Sequence, residues 1–226
     1  MDGEPLEVPE RVPIFPLPEV VLFPHAILPL HVFEPRYRDM MADALAGPRF
    51  IAIGLLKPGF EPLYYTRRAP IHATVGLGHI LEAEELTNGD YNMLLRGIAR
   101  AVIEEESSDR PYRIGRIQPV ETFCSCPDDQ STSLRDELFT AIRGNPALSP
   151  DLREFWLRLK GLDLELDQVS DLIAAGLPLE AELRQCMLEE ADAFARGTLL
   201  LEQIRTLGAV ARNYRRVLRP DGQSMN

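Results

Sequence analysis

Residues Val12 to Tyr37 read VPIFPLPEVVLFPHAILPLHVFEPRY. Prolines at 13, 16, 18, 24, 29 and 35 cut the runs of Val, Ile, Leu and Phe into short pieces. Proline has no N–H for a sheet ladder and fixes φ, so the runs predict short strands broken at edges and bends. The segment holds no thiol and no glycine-rich phosphate loop. It reads as the opening of a compact β-domain rather than as an active site.

Outward from this stretch, strand signals continue at Phe50–Leu56, Ile71–Leu81, Tyr91–Leu95 and Ile98–Ile103. Turn chemistry bounds them at Lys57-Pro58-Gly59, Thr87-Asn88-Gly89-Asp90 and Ser107-Ser108-Asp109. Leu81–Leu86, Asn88-Gly89-Asp90 and Tyr91–Leu95 together predict a hairpin. One short helix interrupts: Pro35 suits its first position, Tyr37, Met40, Met41, Ala44 and Leu45 form its apolar stripe, and Gly47-Pro48 ends it.

The period changes near residue 128. Residues 127–132 read as a polar connector, after which Ser133 is the expected N-cap of a helix carrying Leu134, Leu138 and Ile142. Ser149-Pro150-Asp151 starts a second helix with Leu152, Phe155, Trp156 and Leu159 on one face. Asp167 caps a third ending at Gly176, and Pro178 starts a fourth that buries Leu179, Leu183, Cys186 and Met187. A long last helix carries Leu200, Ile204, Leu207, Ala211, Tyr214 and Leu218 at heptad-like spacing, which suits packing inside a bundle or self-association through this C-terminal helix. The expectation is an α+β chain with a β-rich domain at 1–127 and an α-helical bundle at 128–226.

The formal net charge of −11 disfavours nucleic acid, whose binders neutralise phosphates with Lys and Arg. The one basic cluster, Arg212, Arg215, Arg216 and Arg219, reads as a solvated helix end complementing the helix dipole. Lys57 and Lys160 are the only lysines, which restricts any mechanism needing a lysine base or Schiff base. Three cysteines, Cys124, Cys126 and Cys186, and a start without an apolar h-region point to reduced thiols in the cytoplasm. No run of about 18 apolar residues predicts a membrane span.

At the level of family, LFPHAILPLHVFEPRYRDMM (Leu22–Met41) resembles the signature of the Lon protease N-terminal, substrate-binding domain. VGLGHILEAEELTNGDYNMLLRGIARAVI (Val75–Ile103) is similar to the family's strand–hairpin–strand block, and Pro111-Tyr112 to its next landmark. Leu172–Ile204 is similar to the helices that follow there. The resemblance implies a PUA-like β-pseudo-barrel followed by a helical bundle, a module that engages client polypeptides. The chain shows no G-x-x-x-x-G-K-[ST] loop and no serine–lysine protease segment. It is therefore expected to be a stand-alone, non-enzymatic domain that needs no cofactor. Its expected partners are unfolded or partly unfolded client proteins and a separate ATPase or protease.

Within the signature, Phe33, Glu34, Arg36 and Tyr37 stand at a strand-to-helix junction. Their structural reading is a first-turn carboxylate, an N1 proline and aromatic packing. Their functional reading has Arg36 and Tyr37 lining a groove between the domains. Tyr64, Tyr65, Arg67 and Arg68 form a second protein-binding candidate, because aromatic and arginine side chains are favoured in interfaces. No catalytic, metal or cofactor residue is assigned. His25 and His31 lack partners at ligand spacing, and strand alternation puts His72 and His79 on opposite faces. Cys124-Ser125-Cys126 admits zinc or a reversible disulfide as minor alternatives. Gly76-Leu77-Gly78 is no dinucleotide loop; its glycines suit close packing in a barrel wall. The rival functions are RNA binding by a PUA-like fold and a cryptic cysteine or carboxylate enzyme.

Overall fold

A computed structural model gives residues 7–106 and 108–218, with side chains for all of these except 106 and 215–218. Two units are distinguished: the residues up to Glu121 with Ala174–Ala191, and Thr122–Ile173 with the residues from Asp192 onward. Among the described residues no helix is long and apolar enough to cross a membrane.

The first unit is built on one mixed sheet of β1 (Arg11–Leu17), β2 (Ile27–Val32), β3 (Phe50–Leu55), β4 (Thr74–Glu85), β5 (Tyr91–Glu106) and β6 (Arg113–Pro119). The order is β2-β5-β4-β3-β1-β6, and a further β5–β6 pairing closes five strands into a barrel. Closure depends on the length of β5. Tyr91–Arg96 pairs with β2, Ala101–Glu106 pairs with β6, and β4 runs along the other side of both halves. The two strands read at 91–95 and 98–103 are thus one. β4 starts at Thr74 rather than Ile71 and runs on to Glu85.

The prolines sit where the ladder tolerates them. β1 pairs with β6 through Arg11–Ile14 and with β3 through Ile14–Leu17, so Pro13 and Pro16 each face a single neighbour. Pro29 lies in β2, which pairs with β5 alone. A missing N–H therefore costs less here than in a fully flanked strand, and β1 passes through its prolines without breaking.

Between β1 and β2 the chain crosses the hairpin at very short range. A Cβ on Gly76 would lie 2.0 Å from the Leu22 carbonyl oxygen, and one on Gly97 would lie 1.9 Å from that of Phe23. Gly78, paired with Gly97 across the strands, completes a floor without side chains. The crossing backbone is satisfied by His25 N–H donating to the Gly97 carbonyl at 3.0 Å and Gly97 N–H donating to that of Ala26 at 2.9 Å. Leu22 and Phe23 are fully buried as a result.

β3 is buried at every position and divides its side chains between two cores. Phe50 and Ala52 join Val12, Ile14, Val75, Leu77, Ala101, Ile103 and Ile117, a cluster drawn from all five barrel strands. Ile51 and Ile53 face the opposite way, onto Tyr37, Met40 and Met41 of α1 (Pro35–Ala46). Period-two alternation explains why an unbroken apolar run serves both faces. A later helix, α5 (Ala181–Glu189), also packs on this unit: Gln185 Nε2 donates to the Thr74 carbonyl at 2.9 Å and Arg100 Nε to that of Leu188 at 3.0 Å. The helix begins at Ala181 and buries Met187, as the stripe read from sequence has it, but Gln185 and Leu188 take the other inward places and Cys186 is exposed.

The second unit contains α2 (Asp128–Arg143), α3 (Pro150–Leu159), the start of α4 (Leu166–Gly176) and α6 (Ala193–Leu218). α2 starts five residues ahead of Ser133, with Pro127 as N-cap and Asp128 and Asp129 in a first turn where carboxylates suit the helix dipole. The polar connector is that first turn, exposed and therefore hydrophilic. Ser149 caps α3 as expected, accepting the Leu152 N–H at 3.2 Å. Trp156 is buried, but Phe155 faces solvent. α4 starts at Leu166, which puts Asp167 in the first turn rather than at the cap. On α6, Leu200 and Ile204 are buried, Leu207 and Ala211 half-buried and Tyr214 exposed. The side chains of Arg215, Arg216 and Leu218, and Arg219 as a whole, lie outside the described residues. Asp171 and Arg196 form an ion pair at 2.9 Å with side chains 2% and 0% exposed.

Candidate functional site

The junction after β2 is held by α1's own first turn. Glu34 supplies the carbonyl that accepts the Tyr37 and Arg38 N–H groups, each at 2.9 Å. Its carboxylate accepts Arg36 Nε at 3.0 Å and the Tyr64 hydroxyl at 3.5 Å. The rest of the Arg36 fork donates to the carbonyls of Tyr64 and Thr66, at 3.1 and 3.3 Å, while its guanidinium lies 4.5 Å above the Tyr37 ring. Tyr37 is buried against Phe15, and that burial pushes its hydroxyl up to about 12. Glu34, Arg36 and Tyr64 thus form one network, stacked on the Tyr37 ring, in which the Arg36 guanidinium and the Tyr64 hydroxyl donate to the protein itself. It pins the loop that follows the short 3₁₀ turn Glu61–Leu63 onto α1.

Arg67 anchors the other end of that loop, donating to the carbonyls of Ser108 and Arg110 at 2.7 and 2.8 Å. Between the anchors Tyr65 stands 84% exposed, edge-on to Tyr64 at 5.0 Å, and Arg68 is also exposed. Phe33 is 61% exposed and stacks on His31 at 6.1 Å. The eight sequence candidates therefore separate into anchors (Glu34, Arg36, Tyr37, Tyr64, Arg67) and presented side chains (Phe33, Tyr65, Arg68).

His31 leads to a feature that local sequence signals do not reveal, a groove of about 500 Å³ along β2, β5 and β4. Pro29, Leu30 and His31 line it from β2, Asn92, Met93 and Leu94 from β5, and Glu82, Ala83 and Glu84 from β4. Register places Pro29, Leu94 and Glu82 in one row and His31, Asn92 and Glu84 in the next. His31 Nδ1 lies 2.9 Å from Asn92 Oδ1, fixing the ring at the groove wall. Leu81 is left over where the register shifts between Ile80 and Glu82, and this bulge turns it outward. With Ile27 and Phe33 it adds exposed apolar surface close to the groove in sequence. The hairpin was readable from its alternation, but the addition of β2 to it joins residues some sixty positions apart and leaves no local signal.

His31 Nε2 also lies 3.5 Å from Asp90 Oδ2. Among the described residues no group of three or more His, Cys, Asp or Glu could hold a metal ion. His72 precedes β4 and sits between carboxylates, with Nε2 3.3 Å from Glu182 and Nδ1 3.3 Å from Glu189. His79 lies against Phe50 at 5.1 Å, and burial, then Arg49 and Arg96, lower its pKa. Tyr112 donates to Asp43 at 2.6 Å, and burial followed by that bond pushes its hydroxyl up to about 12.

Comparison with known proteins gives the arrangement its context. The chain is 27% identical over 203 residues to Lon protease 2 of Myxococcus xanthus, covering 87% of this chain and 24% of that one. It is also 27% identical over 203 residues to the Lon protease of Anaeromyxobacter dehalogenans, covering 87% and 23%. The chain thus spans about a quarter of the length of these curated relatives. Two solved structures share the fold. The N-terminal domain of Mycobacterium avium complex Lon protease gives a TM-score of 0.64 at 17% identity, over 86% of this chain and 97% of that one. The Lon N-terminal domain protein of Xanthomonas campestris gives 0.57 at 23% identity, over 85% and 97%. The family model of the ATP-dependent protease La (LON) substrate-binding domain matches residues 11–206, and to that family the chain belongs.

Proposed function

We propose that this domain is a non-catalytic, cytoplasmic binding module that takes unfolded or partly unfolded client polypeptides on the β2–β5–β4 face and docks them to a separate ATPase or protease. The observation that carries the reading is the groove of about 500 Å³, to which Pro29 and Leu94 turn apolar side chains while Leu30, Ala83 and Met93 line it from the row that packs on the core. Exposed Phe33, Ile27 and Leu81 extend the apolar surface, and Tyr65 and Arg68 stand on a braced loop. A groove of this size suits a few side chains of an extended segment, with modest affinity because a disordered client must be ordered on binding. The family's name supports the client class, and the anchoring of Arg36 and Arg67 on carbonyls supports a rigid platform.

The test is fluorescence anisotropy with a labelled unfolded polypeptide and a labelled single-stranded RNA over a salt series. The expected result is saturable polypeptide binding that varies little with salt. Phe33→Ala and Leu94→Ala should each weaken it by about five- to thirty-fold, the equivalent of roughly 1–2 kcal/mol of lost burial. Salt-sensitive binding of RNA alone would replace this reading with the nucleic-acid one. Polypeptide binding indifferent to both substitutions would remove the groove from it.

A further inference from the structure

Cys124, Ser125 and Cys126 lie in the helical unit ahead of α2. Ser125 is held from one side. Its N–H donates to Asp192 Oδ1 at 3.0 Å and its hydroxyl donates to Oδ2. Asp192 also accepts the Phe194 N–H at 3.0 Å, and the Phe123 carbonyl accepts the Ala193 N–H at 2.8 Å. Phe123 and Asp192 pair as a parallel bridge, so the backbone entering the tripeptide is extended. Cys124 and Cys126 flank this fixed residue in sequence. Their sulfurs lie 3.4 Å apart, with Cys124 exposed and Cys126 half-buried. The carboxylate thus fixes the middle residue between two neighbouring thiols, of which Cys124 is open to solvent.

We propose that Cys124 and Cys126 form a peroxide-reactive dithiol site that closes reversibly to an intramolecular disulfide. Closure brings the sulfurs from 3.4 Å to about 2.05 Å, a movement within reach of side-chain rotation. Burial, then the neighbouring Cys124 and the Asp192 carboxylate, push the Cys126 thiol up to about 11, and its sulfur stands within hydrogen-bonding distance of the Cys124 sulfur. Cys124, the more exposed sulfur, meets the oxidant.

The chemistry balances with hydrogen peroxide as co-reactant. The Cys124 thiolate attacks one peroxide oxygen, the O–O bond breaks, and hydroxide leaves to be protonated to water. Cys124 is then a sulfenic acid. The Cys126 sulfur attacks the Cys124 sulfur, the S–O bond breaks, and the departing hydroxide takes the Cys126 proton as a second water. Two thiols are oxidised to one disulfide and one peroxide is reduced to two waters. A small thiol reductant reverses the closure by exchange.

The test uses the full chain treated with hydrogen peroxide, alkylated with iodoacetamide and read by mass spectrometry. Cys186, exposed on α5, serves as the internal control. The expected product is a 124–126 peptide lighter by two hydrogens and unalkylated, with Cys186 alkylated and the change undone by dithiothreitol. In Cys126→Ser protein, Cys124 should stop at a sulfenic acid that dimedone captures, whereas Cys124→Ser protein should take no dimedone at Cys126. A wild-type sulfenic acid that survives to react with dimedone, or a disulfide-linked dimer formed in place of the internal bond, overturns the site. Dimedone labelling of Cys126 in Cys124→Ser protein overturns the assignment of Cys124 as the attacking sulfur.

Discussion

Gly97→Ala tests the claim that the fold depends on backbone passing over a glycine floor. The new methyl would lie 1.9 Å from the Phe23 carbonyl oxygen, 2.8 Å from its carbon and 3.2 Å from the Pro24 Cα. An ordinary C···O separation is about 3.3 Å, so the crossing segment must retreat by more than about 1 Å. That motion strains the two hydrogen bonds joining His25 and Ala26 to Gly97, each contributing about 1 kcal/mol net. It also lifts Leu22 and Phe23, whose full burial contributes about 1.5–3 kcal/mol apiece, part of which is lost. Against this, alanine restricts the unfolded chain and stabilises by about 0.4–1 kcal/mol. The clash wins, by about 3–5 kcal/mol, or roughly 10 °C in Tm for a chain of this size. Urea and thermal denaturation followed by far-UV circular dichroism would read it. Gly144→Ala is the control, since its methyl would come no closer than 3.8 Å to the Thr140 carbonyl oxygen at a φ of −87°. A Gly97→Ala loss below about 1 kcal/mol would refute the close-approach reasoning, because the entropy term would then be the larger one.

The helical unit gives two further expectations. Asp171→Ala should cost about 3–5 kcal/mol by leaving the Arg196 guanidinium buried without its carboxylate, read from the fluorescence of Trp156, the only tryptophan. A cost under about 1 kcal/mol would mean that Arg196 finds another partner or water at no penalty. Asp192 carries a pH dependence: burial works to raise its pKa, but the hydrogen bonds from Ser125, Phe194 and Ala195 outweigh it and hold the carboxyl below the usual range. Its contribution is therefore fully present above the unfolded value of about 3.9 and is lost as pH falls through the lower folded value. The stability difference between wild type and Asp192→Asn should shrink on acidification below about pH 4. A difference that grew there would reverse the sign and sink the assignment.

Much of the fold was readable because its signals are local. Pro35 at the helix start, the Tyr37–Met40–Met41–Ala44 stripe and the turn at Asn88-Gly89 each act within one or two turns of chain. The Ser149 cap was visible for the same reason. The start of α2 was not, because an exposed first turn of Asp128, Asp129 and Gln130 has the composition of a linker. Cys186 misled because the buried face of α5 is set by its partners, and the Thr74 carbonyl and Arg100 draw Gln185 and Leu188 inward. At the candidate site, residue type alone could not separate anchor from contact. Arg36 and Arg68 look alike in sequence, yet the backbone carbonyls of Tyr64 and Thr66 occupy the first, while the second is exposed.

The amino-acid sequence by itself determined the family, the change from β to α along the chain and the strand-compatible placing of its prolines, since these follow from residue type and short-range spacing. Only the tertiary structure decided that β5 joins β2 and β6 at its two ends, that Gly76 and Gly97 clear a path for residues 22 and 23, and that a groove opens on β2, β5 and β4. Each of these needs residues tens of positions apart to meet, and register between distant strands is set by packing against the whole core rather than by any local preference.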